Sequence, residues 1–302
     1  MIINKIAVSI FVFFLLSPYG FAQNDGAGNT GLAFLKLGAG ARAISMGEAF
    51  SSVTDDATAF IYNPARLTAV DKNNVALMHN QSVMDLKTDY IAAKFVISKK
   101  LFLGVGLFTT SLSGIEIRNI PGAAIDNTDS RNMSTGISFG YKFSPDISAG
   151  ITWKYLFEKI YVDEASGFAF DFGANYSKKN LNLALVFSNL GSMNELLNQA
   201  SDLPASVRFG GSYSFSKDKF GFLLSLDGYK ILNGGNFHAN TGAEAGYNKF
   251  VFLRLGYQTG YDNRGFTSGI GFSYKGINLD YAFVPYSSGF GNSNTISLGL
   301  NF

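Results

Sequence analysis

Any chemistry in this chain of 302 residues has to come from histidines, carboxylates and hydroxyls, because it contains no cysteine. Disulfides, thiolate metal ligands and a cysteine nucleophile are excluded together. Of the two histidines, His79 and His238, neither has a serine or acid partner identifiable by spacing, as a lipid hydrolase at a membrane rim would need. A lone histidine more often packs and hydrogen-bonds than acts as a base. The fragment Asp126-Asn127-Thr128-Asp129 lacks the glycine and distal glutamate of a calcium loop. Gly38 and Gly40 lack the third glycine and the strand-turn-helix context of a dinucleotide site. No catalytic, cofactor-binding or metal residue is assigned, and the chain reads as a non-enzyme.

The elements around these residues explain why chemistry is absent. Met1 to Ala22 carries Lys5, an apolar run from Ile6 to Leu16, and small residues before Gln23, which reads as a cleaved signal peptide. The net charge of +2, with 15% charged residues and no basic cluster, excludes a nucleic-acid-binding face. The whole chain holds 29 Phe, 15 Tyr and 34 Gly with six Pro, and beyond the leader there is no apolar helical run. For an exported chain this composition predicts an all-β fold, a transmembrane antiparallel β-barrel in the bacterial outer membrane, since only helices and closed barrels satisfy every backbone group in lipid. A secreted β-sandwich is the competing reading. The organisation expected is a signal peptide over 1-22, an N-terminal hatch over 23-73 and a barrel over 74-302.

About fourteen strands of roughly ten residues follow, the length of a tilted membrane-spanning strand. Short turns such as Ser144-Pro145-Asp146 and Asn248-Lys249 alternate with longer connections, notably Thr110 to Asn132 and Leu190 to Pro204. Short periplasmic turns and longer outer loops make that rhythm, and a sandwich has no reason to keep it. Period-two patterning turns Ile147, Ala149, Ile151, Trp153, Tyr155 and Phe157 toward lipid. The same phase places Lys94, Lys154, Glu158, Asp171, Arg208, Asp227, Glu244, Arg254 and Asp280 inside, a mixed set that suits a braced, filled lumen better than a charge-selective pore.

The stretch Ala33 to Ala65 breaks the strand pattern and is expected to fold up from the periplasm into the lumen as short helices. Ala41 to Val53 reads as one helix, and Asp55 as the cap of a second that ends before Asn63-Pro64. Phe34-Leu35-Lys36-Leu37-Gly38, Gly40-Ala41-Arg42-Ala43, Met46-Gly47-Glu48-Ala49-Phe50, Asp55-Asp56-Ala57 and Asn63-Pro64-Ala65 resemble the N-terminal signature of the PorV/PorQ family, which looks like a branch of the FadL-type barrels. The resemblance implies a fourteen-stranded barrel with a hatch motif made of Gly40, Arg42, Met46, Gly47, Glu48, Asp55, Asp56, Asn63 and Pro64. It implies a role in type IX protein secretion, with secretion-system or secreted proteins as partners. The alternative is FadL-like transport of long-chain fatty acids or other hydrophobic small molecules. Outer-membrane lipid is a partner in either case. Pairing of Arg42, Glu48, Asp55 and Asp56 with inward groups such as Asp171, Arg208 or Arg254 would make the hatch a structural stopper.

One outer loop bears on the choice. Met193, Leu196 and Leu197 recur at helical spacing with Ala200, giving an amphipathic turn that would dock a partner, cover a greasy groove or pack on the rim.

Overall fold

A computed structural model describes residues 30-302 except 119, 121, 123, 197 and 198. The signal-peptide reading of 1-22, the first hatch residues and Leu197 lie outside the described residues. The barrel strands before the long loop are β1 (Asn74–Gln81), β2 (Lys87–Val96), β3 (Leu101–Ile117), β4 (Asp126–Lys142), β5 (Ile147–Ile160), β6 (Asp163–Lys178) and β7 (Leu181–Met193). That loop carries two short strands, β8 (Glu195–Leu196) and β9 (Gln199–Ala200). The barrel continues with β10 (Ser206–Lys217), β11 (Phe220–Ile231), β12 (Phe237–Tyr247), β13 (Val251–Thr259), β14 (Phe266–Tyr274), β15 (Ile277–Pro285) and β16 (Asn292–Asn301).

Fourteen of these close into one antiparallel barrel, with β1 paired to both β2 and β16. Closure leaves no edge and no unpaired ladder in the hydrocarbon. The side-chain phase follows the period-two pattern. Ile151, Trp153 and Tyr155 are exposed on the outer wall, while Thr152, Lys154 and Glu158 of the same strand are buried. Lys94, Asp171, Asp227, Glu244 and Arg254 are buried in the lumen, and Arg208 and Asp280 are nearly so.

The loops differ from expectation at two places. β3 and β4 stay paired out to Ile117 and Asp126, so the connection expected over Thr110 to Asn132 shrinks to 118-125. A bulge between Leu112 and Ile115, with Gly114 at φ 73°, lets the hairpin continue. In the second loop the described residues form no helical turn. β7 runs to Met193, the Asn194 N–H donates to the Ser166 carbonyl, and β8 pairs with β9. Continued pairing with β6 overrides the helical spacing of Met193 and Leu196.

The hatch also runs the other way. The Gly31 N–H donates to the carbonyl of Asp202 in the outer loop at 2.9 Å. From there the chain descends the lumen, and it enters β1 at the short-turn end. A 3-10 turn at Ala33–Lys36, a helix at Ala41–Ser45, a helix at Ala59–Tyr62 and a 3-10 turn at Pro64–Thr68 mark the descent. The helix expected over Ala41 to Val53 stops at Ser45 because Gly47 and Glu48 adopt left-handed φ values of 64° and 58°. Nor does Asp55 cap the second helix. Thr58 takes the N-cap position, and its N–H donates to Asp56 Oδ1 at 2.8 Å.

Candidate functional site

The hatch is held by close backbone approach on two walls. Gly140, Gly150 and Gly173 face one another in register on β4, β5 and β6. A Cβ on Gly140 would lie 3.0 Å from the Pro64 carbonyl, and one on Gly150 would lie 2.6 Å from the Ala65 nitrogen. Across the lumen, Gly242 and Gly256 pair on β12 and β13 and face Met46 and Gly47. A Cβ on Gly47 would fall 2.8 Å from the Thr241 carbonyl, so this left-handed position admits no side chain. Asn63 closes the motif: its Oδ1 accepts the Ala65 N–H and its Nδ2 donates to the Ser51 carbonyl, both at 3.0 Å. The Gly40 N–H meets Met78 Sδ at 2.9 Å.

Charges fix the rest. Arg42 forks onto Glu244, Nε to Oε2 at 2.9 Å and Nη2 to Oε1 at 3.0 Å, and its Nη1 reaches Asp55 at 3.0 Å. Arg254 bridges Glu244 at 2.6 Å and Asp280 at 2.7 Å. Burial by itself would lower the Arg42 pKa, but the Glu244 and Asp55 carboxylates hold it well above the usual arginine value. Asp56 is pushed above its ordinary value of 3.8 by burial and by the neighbouring Asp55 charge. Higher in the lumen, Glu48 faces Arg264 at 3.6 Å while its carbonyl accepts from Arg208 at 2.8 Å. Asp227 accepts the N–H groups of Phe50 and Ser51 at 3.2 and 3.0 Å. The hatch motif is thus a set of docking residues. Of the inward partners expected for it, Arg208 meets the hatch, while Arg254 meets Arg42 only through Glu244. Asp171 instead pairs with Lys154 at 2.6 Å and takes the Asn189 N–H at 2.8 Å.

The lumen changes character along its length. On the outer side Leu32 and Phe34 of the hatch pack with Phe108, Leu156, Met193 and Leu203 in a buried apolar cluster, with Leu196 partly buried against it. Phe34 stacks on Phe108 at 5.9 Å between centroids. Met193 and Leu196, assigned from sequence to a docking or ligand loop, therefore face inward onto the hatch. On the periplasmic side two cavities of about 430 and 710 Å³ open beneath the hatch and share Arg42, Asp55 and Phe252. The spaces lined by Gly38 and Glu48 on the outer side are about 50 and 30 Å³. The path is filled above and open below.

Both histidines have partners. His238 is buried and stacks on Tyr261 at 4.1 Å. His79 points to the lipid side, with Nδ1 2.7 Å from Asp89 Oδ1. Sequence reasoning missed Phe108, Leu156, Leu203 and Arg264 as neighbours of the hatch, since period-two phase gives a side chain's facing but not its height opposite another segment.

Comparison with known proteins supports this architecture. A model of an uncharacterised protein family (UPF0164) matches residues 20-143. No curated protein matches the chain. Among solved structures, the toluene transporter TodX of Pseudomonas putida is similar with a TM-score of 0.63 and 14% identity, covering 88% of this chain and 99% of that one. The monoaromatic hydrocarbon channel CymD gives 0.61 and 13%, covering 90% and 97%. A FadL homologue of Pseudomonas aeruginosa gives 0.55 and 12%, covering 85% and 96%. These findings lend nothing to the PorV/PorQ assignment or to type IX secretion. With its closed fourteen-stranded wall, apolar outer belt and lumenal hatch, the chain has the fold of the FadL-like barrels and is an outer-membrane β-barrel.

Proposed function

We propose that the chain is a gated channel admitting small hydrophobic compounds across the outer membrane, the hatch being the gate. The observation carrying this reading is the apolar compartment at the outer end of the lumen, where Phe34 and Leu32 fill a space walled by Phe108, Leu156, Met193 and Leu203. Compartments of this kind, apolar with a few polar groups at the border, are where small apolar ligands bind. The hatch side chains occupy the place a ligand would take, and a ligand enters by displacing them. Two structures alike in fold are named for toluene transport and monoaromatic hydrocarbon passage, which supports the same class of substrate.

The test is uptake of a radiolabelled monoaromatic hydrocarbon and of a long-chain fatty acid by vesicles containing the purified full chain. Faster entry of either than into empty vesicles, with no entry of a charged solute of similar size, is the expected result. Entry no faster than into empty vesicles refutes the proposal. Loss of surface attachment of secreted proteins on gene deletion, with hydrocarbon uptake unchanged, would return the assignment to secretion.

A further inference from the structure

Charge is distributed unevenly between the two ends of the barrel. Six short connections join β2 to β3, β4 to β5, β6 to β7, β10 to β11, β12 to β13 and β14 to β15. Five of them carry exposed lysine. Lys99 and Lys100 lie in the first, Lys178 and Lys179 at the third, Lys217 and Lys219 at the fourth, and the fifth and sixth hold one each, at 249 and 275. Against them the short connections hold two carboxylates, Asp146 and Asp218. With strand-end residues counted as at the short turns, the outer connections are the reverse among the described residues: Asp85, Asp126, Glu195, Asp202 and Asp262 are exposed, against Lys87 and Arg118. The whole-chain net charge of +2 conceals this polarity.

The lysines also have a fixed height. Short connections keep their ammonium groups next to the ends of the strands, where Phe143, Phe220, Tyr247, Phe250 and Tyr274 are exposed on the outer wall. Aromatic girdles of this kind sit at the membrane interface. Lys275 Nζ lies 5.2 Å from the Tyr274 ring centroid, at the level where a lysine stem covers apolar surface and its charge reaches the polar layer. Because the lysines recur from β2–β3 round to β14–β15, they form a ring. A docking protein would engage one arc of it, whereas a leaflet surrounds all of it.

We infer that the periplasmic rim is a binding surface for the headgroups of anionic phospholipids in the inner leaflet of the outer membrane, gathering them around the barrel. A lysine near an anionic membrane surface favours association by about fivefold at physiological salt, and that gain is screened over about 8 Å. The experiment places the full-length mature chain in phosphatidylethanolamine bilayers with a minor fraction of phosphatidylglycerol and measures the lipid that remains with the extracted protein. Phosphatidylglycerol should be enriched about fivefold or more over the bulk at low salt, with enrichment falling as salt rises. Replacing four lysines together, Lys178→Gln, Lys179→Gln, Lys217→Gln and Lys219→Gln, should remove most of it. Should that variant fail to assemble, the salt series on the unaltered chain decides the question alone. Absence of enrichment, enrichment indifferent to salt, or full enrichment in the variant each overturns the inference. Retention on peptidoglycan without phosphatidylglycerol enrichment overturns it in favour of the cell wall as partner.

Discussion

Glu244 is the wall carboxylate that holds Arg42 of the hatch, and replacing it tests the gate directly. It accepts two hydrogen bonds from Arg42 and one from Arg254, and its side chain is 8% exposed. Glu244→Gln keeps the volume and removes the charge. Breaking a buried ion pair from one side costs about 3–5 kcal/mol. Arg42 retains Asp55 and Arg254 retains Asp280, so the low end, about 3 kcal/mol, applies. At 1.4 kcal/mol per tenfold, that multiplies the undocked population of the segment around Arg42 by roughly 150. Arg42, which borders both periplasmic cavities, is then released and the two spaces can join. The assay is hydrogen exchange at the amides of Ile44, Met46 and Gly47, whose N–H groups are bonded in the docked hatch, paired with single-channel conductance in planar bilayers. Protection should fall by about two orders of magnitude, and opening events should become frequent. Unchanged protection and unchanged conductance would refute the idea that this ion network holds the gate; lost protection with no added conductance would show that it holds the hatch without gating a path.

Further tests follow from other parts of the hatch seat. Gly150→Val puts a side chain into the backbone of Pro64 and Ala65, so the variant should fail to dock the Pro64–Thr68 turn, seen as protease cleavage in the hatch while the strands keep their heat-modifiable migration in gels. Asp56, whose folded pKa lies above 3.8 because of burial and Asp55, contributes stability below its ordinary value and loses it as pH rises through the elevated one. Hatch protection should therefore decline across that interval, and Asp56→Asn, which keeps the acceptor for the Thr58 N–H, should abolish the decline. Phe34→Ala removes the ring stacked on Phe108; a buried Phe→Ala change costs about 3–5 kcal/mol, and hydrocarbon uptake should rise as the outer compartment empties.

What the sequence made legible was whatever obeys a local rule. Strand phase is local, because lipid on one side and hatch on the other sort side chains with a period of two. Trp153 outside and Lys154 inside follow from their neighbours alone. Turn length is local too, and it set the strand count. Partnership is not. Arg42 and Glu244 are separated by 202 positions, and nothing in either neighbourhood specifies the other. The glycines are a similar case: Gly140, Gly150 and Gly173 look like scattered barrel glycines until the register aligns them beneath Pro64. Two errors came from local signals that a longer-range contact overrode. Met193 and Leu196 have helical spacing, yet the ladder with β6 takes the backbone first. The Ala41 helix has good helical composition, yet Gly47 must turn left-handed to lie against Thr241 and Tyr257.

The direction of the hatch determines which of its contacts a ligand can contest. Entering beside Asp202 and leaving toward β1, it presents Leu32 and Phe34 to the outer side and Ala59 to Thr68 to the wall deeper in. The first part is held by apolar contacts, which an apolar ligand replaces in kind, so exchanging one for the other leaves little apolar area newly exposed. The second part is held by glycine-backed backbone contact and by Arg66, whose Nε donates to the Thr54 carbonyl at 2.9 Å. An apolar ligand offers no substitute for those bonds, and buried donors left without acceptors are costly. Between the two lies Glu48, strained at φ 58° and bound through its carbonyl to Arg208 and through its carboxylate to Arg264. A ligand that displaces Phe34 therefore meets resistance at Glu48, and opening by this route is a bend of the upper hatch about the Gly47-Glu48 turn, with the Asn63-Pro64-Ala65 end remaining in its glycine seat.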